Sequence, residues 1–436
     1  MKASAKTPNL FSKLLQALMA VGGTSVLSQV LVMLQTLLLA RWIGPELNAY
    51  VLAAFNVAGL GIILINWGFD HWLLQRTAID VENSHKNLGL LLSFKLFFGI
   101  LLGLVLVVAL PNLRKEIYIL VILSLAFLDV LTDSLSGSLY TYYYAIDQYK
   151  RASLTLTISR VLRLTSTIVL ILFKIKALPW FLGLRLLVNV SVLAYLWSFL
   201  KPKIGLVNWR LIKTISKNTW AFGLAEILNF AYDRLDLTLL AFLSLVPTEI
   251  SYYGTASNML LTGIATLLPL HFVLVPYIIN QQKIRNSNQQ ASTTSKMALY
   301  VQPLLLLLGA GLLGALFLFF LGEASVNILL GAAYRPAGPL LRLASPLVLL
   351  KSGTIALSSF LIAREQQTLK LVPLAIVTVL KTTLILVFYK LYGLNGMIIT
   401  FIFCEFLLLV FYAIQLWRSR GYKLPSIQEQ EEVQQV

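Results

Sequence analysis

The chain has 436 residues, 58% of them hydrophobic and 12% charged, with a mean hydropathy of +0.81 and a formal net charge of +17. Such a composition leaves too little polar surface for a water-soluble domain, so the protein belongs in a membrane. The basic residues are scattered between apolar runs and form no basic face interleaved with aromatics, which excludes nucleic acid as the partner they serve.

Apolar runs of about 20 residues, the length a helix needs to cross a bilayer, fall at 17–40, 49–73, 88–110, 117–140, 153–174, 178–200, 218–245, 252–280, 298–321, 340–363, 371–390 and 394–417. They predict an all-α, polytopic membrane protein of about twelve transmembrane helices. Lys2, Lys6 and Lys13 precede an apolar stretch over 14–40 that is too long for a signal-peptide core, so it is expected to stay as the first span. The connecting segments are short and leave no room for a soluble catalytic domain, and the protein is expected not to be an enzyme. Cys404 lies in an apolar run, and His71, His85 and His271 are far apart. No disulfide, metal site or other cofactor is expected. The Gln/Glu-rich tail after Lys423 reads as disordered.

Loop charge sets an orientation. One side carries most of the loop Lys and Arg, among them Lys86, Lys150, Arg151, Lys201, Lys203, Arg210, Lys213, Lys283, Arg364 and Arg418. The other carries few, including Arg41, Lys174, Lys176, Arg335 and Lys390. By the positive-inside rule the first side is cytoplasmic and both termini are expected there.

The two halves match. Thr36-Leu37-Leu38, Pro45, Tyr50, Ala54, Asn56 and Gly61-Ile62 are repeated at a constant offset by Thr238-Leu239-Leu240, Pro247, Tyr252, Ala256, Asn258 and Gly263-Ile264. The shared Pro, Tyr, Asn and Gly are not drawn from the aliphatic background, so an internal repeat is expected. With both halves starting inside, it is a parallel repeat about an axis along the membrane normal. The expected organisation is two pseudo-symmetric six-helix bundles around a central cavity: 1–200, a cytoplasmic linker 201–217, 218–417, and a cytoplasmic tail 418–436.

Charges within or near spans are the candidate functional residues, because a charge at mid-bilayer costs about 2.5–3.5 kcal/mol on insertion scales and marks an interior path. Arg160 and Arg163 are three apart, Asp129 and Asp133 four apart, and Glu226, Asn229, Asp233 and Asp236 follow one helical stripe. Surplus arginine and lysine suit an anionic substrate, with Arg234, Arg160, Arg163, Lys381 and Lys95 as cationic contacts beside Asp233 and Asp236. Glu226, Asp129 and Asp133 are the candidates for ion coupling. Structural readings stand beside these: Asp129 and Asp133 could neutralise an arginine of the next span, and Arg185, Lys351 and Lys95 could snorkel to an interface. The tyrosines at 140 and 142–144 read as an aromatic belt.

The run Asp233-Arg234-Leu235-Asp236-Leu237-Thr238-Leu239-Leu240, then Pro247, then Tyr252-Tyr253-Gly254-Thr255-Ala256, resembles the start of the second half in polysaccharide flippases of the Wzx type, within the multidrug/oligosaccharidyl-lipid/polysaccharide exporter superfamily. Pro269-Leu270, Val275-Pro276, Gly331-Ala332-Ala333-Tyr334-Arg335-Pro336-Ala337 and Leu340-Leu341-Arg342-Leu343-Ala344 are similar to that family as well. The resemblance covers nearly the whole chain through degenerate motifs. It implies an inner-membrane carrier that turns undecaprenyl-pyrophosphate-linked oligosaccharide repeat units to the outer leaflet, for O-antigen, capsule or exopolysaccharide. The implied partners are that lipid-linked oligosaccharide, membrane lipids, and the polysaccharide polymerase and glycosyltransferases of the same route. Lipid II flippases usually have two more spans, which lowers a peptidoglycan role. The alternatives are an ion-coupled multidrug exporter of the same superfamily and, further off, a membrane polysaccharide polymerase. No G-x-x-x-x-G-K-[ST] phosphate loop is present, which disfavours ATP-driven transport.

Overall fold

The computed structural model describes residues 23–79, 83–113, 117–146, 148–205, 209–244, 246–267, 293–363 and 367–418. The start of the first expected span, the stretch holding Pro269 to Pro276, and the tail from 419 lie outside the described residues.

In chain order the helices are α1 (Gly23–Asn66), α2 (Phe69–Ile79), α3 (Ser84–Leu113), α4 (Ile117–Ala145), α5 (Tyr149–Leu172) and α6 (Leu178–Leu200) in the first half. The second half holds α7 (Trp209–Leu243), α8 (Pro247–Ala265), α9 (Thr293–Leu330), α10 (Ala337–Leu343), α11 (Pro346–Ala363) and α12 (Leu371–Arg418). No strand occurs among the described residues. The expected linker 201–217 is partly helical, since α7 begins at Trp209.

Two of these helices are really pairs of spans. Gly44, with φ 83° and ψ 169°, breaks α1, and Gly393, with φ 59° and ψ −142°, breaks α12. Only glycine takes such angles without a steric penalty, so each helix breaks into two arms at a single residue. Pro45 follows the first break because a proline needs no amide partner in the first turn of a helix. In the second half Pro247 opens α8 at the matching point, after Val246 in extended conformation. Among the described residues seven helices are long and apolar enough to cross, and α10 with α11, bent by 44°, make an eighth. Counting α1 and α12 twice and adding the more polar α7 and α8 gives the expected twelve.

Two apolar cores correspond to the two halves. One runs from Leu39 on α1 to Ile215 at the start of α7. The other joins Leu37, Ala40 and Ala49 to residues between Tyr232 and Tyr412. Outside them, large apolar side chains stay exposed, including Ile100, Leu104, Leu313, Phe320 and Val379. Apolar exposure on this scale needs a hydrocarbon surround. The protein is a multi-pass membrane protein built as two six-helix bundles.

Candidate functional site

A cavity of about 340 Å³ lies between the bundles. Both arms of α1 line it, through residues from Val32 to Gly59, together with Val130 on α4, Phe181 and Arg185 on α6, Phe230 and Arg234 on α7, and Thr255, Asn258, Met259 and Thr262 on α8. Its charged lining residues, among those described, are Arg185 and Arg234, one from each bundle. The polar remainder is amide and hydroxyl: Gln35, Thr36, Asn48, Asn56, Thr255, Asn258 and Thr262.

Arg234 Nη1 donates to Asn258 Oδ1, and no carboxylate of a described residue lies within 4 Å of it. Arg185 is anchored differently. Its Nε donates to Asp129 Oδ2 at 2.8 Å, Asn189 holds the other carboxylate oxygen at 2.6 Å, and its guanidinium sits 4.5 Å from the centre of the Phe55 ring. Arg185 therefore does not snorkel; a buried carboxylate and an aromatic face fix its fork at the cavity wall. Asn56 and Asn258 occupy matching repeat positions and both reach the cavity. The repeat marked them, although their polarity alone gave no reason to choose them as site residues.

Of the residues expected to contact an anion, Arg234 alone lines this cavity. Asp233, Asp236 and Lys381 lie inside the second bundle. Lys381 Nζ donates to the Tyr232 carbonyl at 2.5 Å and to Asp236 Oδ2 at 3.3 Å, and lies 3.5 Å from the centre of the Phe401 ring. Tyr253 Oη donates to the same Asp236 oxygen at 2.5 Å. Lys351 Nζ meets Asp233 at 2.6 Å and Glu405 at 3.6 Å, so this lysine is a buried ion-pair partner and does not snorkel. The acidic stripe of α7 thus splits in two. Asp233 and Asp236 turn into their own bundle, while Phe230 and Arg234, one turn apart on another side of the helix, turn to the cavity.

Lys95, Arg160 and Arg163 are paired inside the first bundle. Lys95 is fully buried, so it does not snorkel, and it grips both oxygens of Asp70 at 2.9 and 3.0 Å. Arg163 is bonded to Asp133, with Arg160 Nη2 at 4.0 Å from the same carboxylate. Asp129 and Asp133 therefore each neutralise arginine: Asp129 the Arg185 of α6 and Asp133 the pair on α5. The sequence reading passed over Asp70, whose position beside a span end gave no sign of its partner.

Glu226 lies on the boundary between bundles. Its Oε2 accepts the Gly68 amide at 3.2 Å, and its Oε1 lies 3.4 Å from His71 Nε2. The backbones close in here: a Cβ on Gly68 would come within 2.7 Å of the Gly223 nitrogen. At the opposite end of the cavity Asn48 donates to Ser251 at 2.9 Å and to Thr255 at 3.2 Å, and Tyr334 Oη donates to the Ala40 carbonyl at 3.1 Å. Contacts between the halves bound the cavity at both ends.

No protein-family model and no curated protein matches the sequence. Solved structures do match the fold. An inward-facing multidrug resistance MATE family transporter of the MOP superfamily aligns with TM-score 0.72 and 15% identity, over 90% of this chain and 96% of its own. The lipid II flippase MurJ in an inward closed conformation aligns with TM-score 0.68 and 17% identity, over 92% and 87%. A MOP superfamily transporter from Pyrococcus furiosus, described as having a binding pocket of reverse polarity, aligns with TM-score 0.65 and 16% identity, over 92% and 95%. These likenesses converge on one architecture: the protein has the two-bundle fold of the MOP-superfamily transporters.

Proposed function

We propose that the protein is a flippase that carries undecaprenyl-pyrophosphate-linked oligosaccharide repeat units across the bacterial inner membrane by alternating access, without covalent chemistry. The observation that carries this reading is the cavity itself: its charged walls are two arginines, one from each bundle, set among amides and hydroxyls. A guanidinium offers a planar fork of donors matched to phosphate oxygens, and amide and hydroxyl side chains suit sugar hydroxyls. Arg234, with one amide partner and no carboxylate among the described residues, keeps most of its donors for cargo. Asp129 holds Arg185 in place.

Because the two arginines come from different bundles, an anion between them is gripped from both sides, and its release follows when the bundles rock apart. The basic bias of one face supports a cytoplasmic side for both termini, where glycosyltransferases would supply the cargo, with the polymerase receiving it outside. An ion-coupled multidrug exporter is the second reading, favoured by the fold likeness to MATE transporters. The sign of the cavity separates the two, since a cationic drug would meet two arginines and, among the described residues, no lining carboxylate.

The test is Arg234→Ala in the native host. The expected result is loss of surface polysaccharide with the protein inserted at its normal level. Normal polymer would overturn the proposal, and loss of resistance to cationic dyes with polymer intact would install the exporter in its place.

A further inference from the structure

Away from the central cavity, a groove of about 800 Å³ opens between α5 and α6 on the outer surface of the first bundle. One wall is a stripe on α5, with Leu154, Ile158 and Leu162 one turn apart and all exposed; the other is Ser191, Val192 and Tyr195 of α6. Lys150 and Arg151 stand at its mouth, and no carboxylate lines it among the described residues.

The mouth is prepared for negative charge. Both cations lie in the first turn of α5, where the helix dipole is positive and disfavours them unless an anion is present. Gln148 precedes that turn and makes no side-chain cap. Arg151 is held in position by Gln148 Oε1 at 3.4 Å and lies 5.3 Å from the centre of the Phe199 ring and 5.9 Å from that of Tyr143. Neither cation has an ion-pair partner among the described residues.

The groove's depth identifies the kind of occupant. From Arg151 to Leu162 a helix rises about 16 Å at 1.5 Å per residue, and half of a bilayer's hydrocarbon core is about 15 Å. The mouth sits on the face that loop charge assigns to the cytoplasm. We propose that this groove is a binding site for one anionic phospholipid of the cytoplasmic leaflet, with its phosphate at Lys150 and Arg151 and an acyl chain along Leu154, Ile158 and Leu162. The site is separate from the cargo cavity and does not depend on what that cavity carries.

The test is native mass spectrometry of the purified full-length protein, titrated with phosphatidylglycerol and with phosphatidylcholine. Wild type is expected to retain one phosphatidylglycerol in preference to phosphatidylcholine. Lys150→Gln and Arg151→Gln should each weaken that preference about five-fold, following the loss of one cation near a headgroup, and the double variant should bring the two lipids close to parity. Ser191→Trp, which fills the groove and leaves its charge alone, should abolish retention; this separates a groove from general surface attraction. Equal retention of both lipids by wild type, or an unchanged preference in the double variant or in Ser191→Trp, would overturn the proposal. So would displacement of phosphatidylglycerol by a polyprenyl phosphate, or a dimer that forms across this face.

Discussion

Leu52 and Gly254 occupy matching positions in the two halves and lie against each other: a Cβ on Gly254 would come within 2.9 Å of Leu52 Cδ1 and 3.0 Å of Leu237 Cδ1. The pseudo-symmetry axis passes near this contact, where the second arm of α1 meets α8. One half has leucine there because the other has glycine.

Gly254→Val should therefore overpack the contact and destabilise the protein by about 1–3 kcal/mol, read as a lower unfolding temperature in detergent. Adding Leu52→Ala should restore much of the loss. If both variants melt like wild type, the bundles do not meet at this pair.

Arg163 and Arg234 should separate in kind. Arg163 is buried against Asp133 and does not reach the cavity. Arg163→Ala leaves that acid with the more distant Arg160, and breaking such a pair costs about 3–5 kcal/mol. Reduced yield and early melting are expected, in contrast with the well-inserted but inactive Arg234→Ala. Wild-type stability of Arg163→Ala would show that Arg160 alone suffices.

Lys381 and Asp236 offer a double-mutant cycle. Lys381→Met should be strongly destabilising, since it leaves a buried carboxylate with Tyr253 as its remaining side-chain donor among the described residues. Lys381→Met with Asp236→Asn removes both charges and should recover most of the stability. Thermal unfolding of the four proteins measures the coupling, and simple additivity would mean that the two groups do not interact.

The Gly68 end of the cavity should behave as a gate. Gly68→Ala puts a methyl group against the Gly223 backbone, so the bundles must separate there. In a Cys404→Ser background, a cysteine at Phe230 should react several-fold faster with an impermeant maleimide applied from that face. An unchanged rate would mean that this contact does not control access.

The spans, the halves and the proline-marked turns were legible because each depends on local features: apolar run length, a constant offset, and Pro45 and Pro247. Arg234 was legible as a charge within a span. What could not be read was direction. The stripe formed by Glu226, Asp233 and Asp236 is a true helical face, but the structure uses it to meet Gly68 and Lys351 and Lys381, and turns the cavity side of α7 elsewhere. Whether Lys95, Arg185 and Lys351 snorkel, or Lys95 meets cargo, could not be decided because Asp70, Asp129, Asp233 and Glu405 lie on other helices, and distance along the chain carries no record of which helices pack together.

Gly44 and Gly393 bear on how the protein is made. Each joins two spans with no intervening loop, so a ribosome-bound translocation channel has almost nothing to export between the paired helices. Each pair should enter the lipid as a single hairpin, its second arm drawn in with its first. A short polar epitope inserted at either glycine would have to be exported separately, and such insertions should impair membrane integration far more than the same epitope placed among residues 201–205.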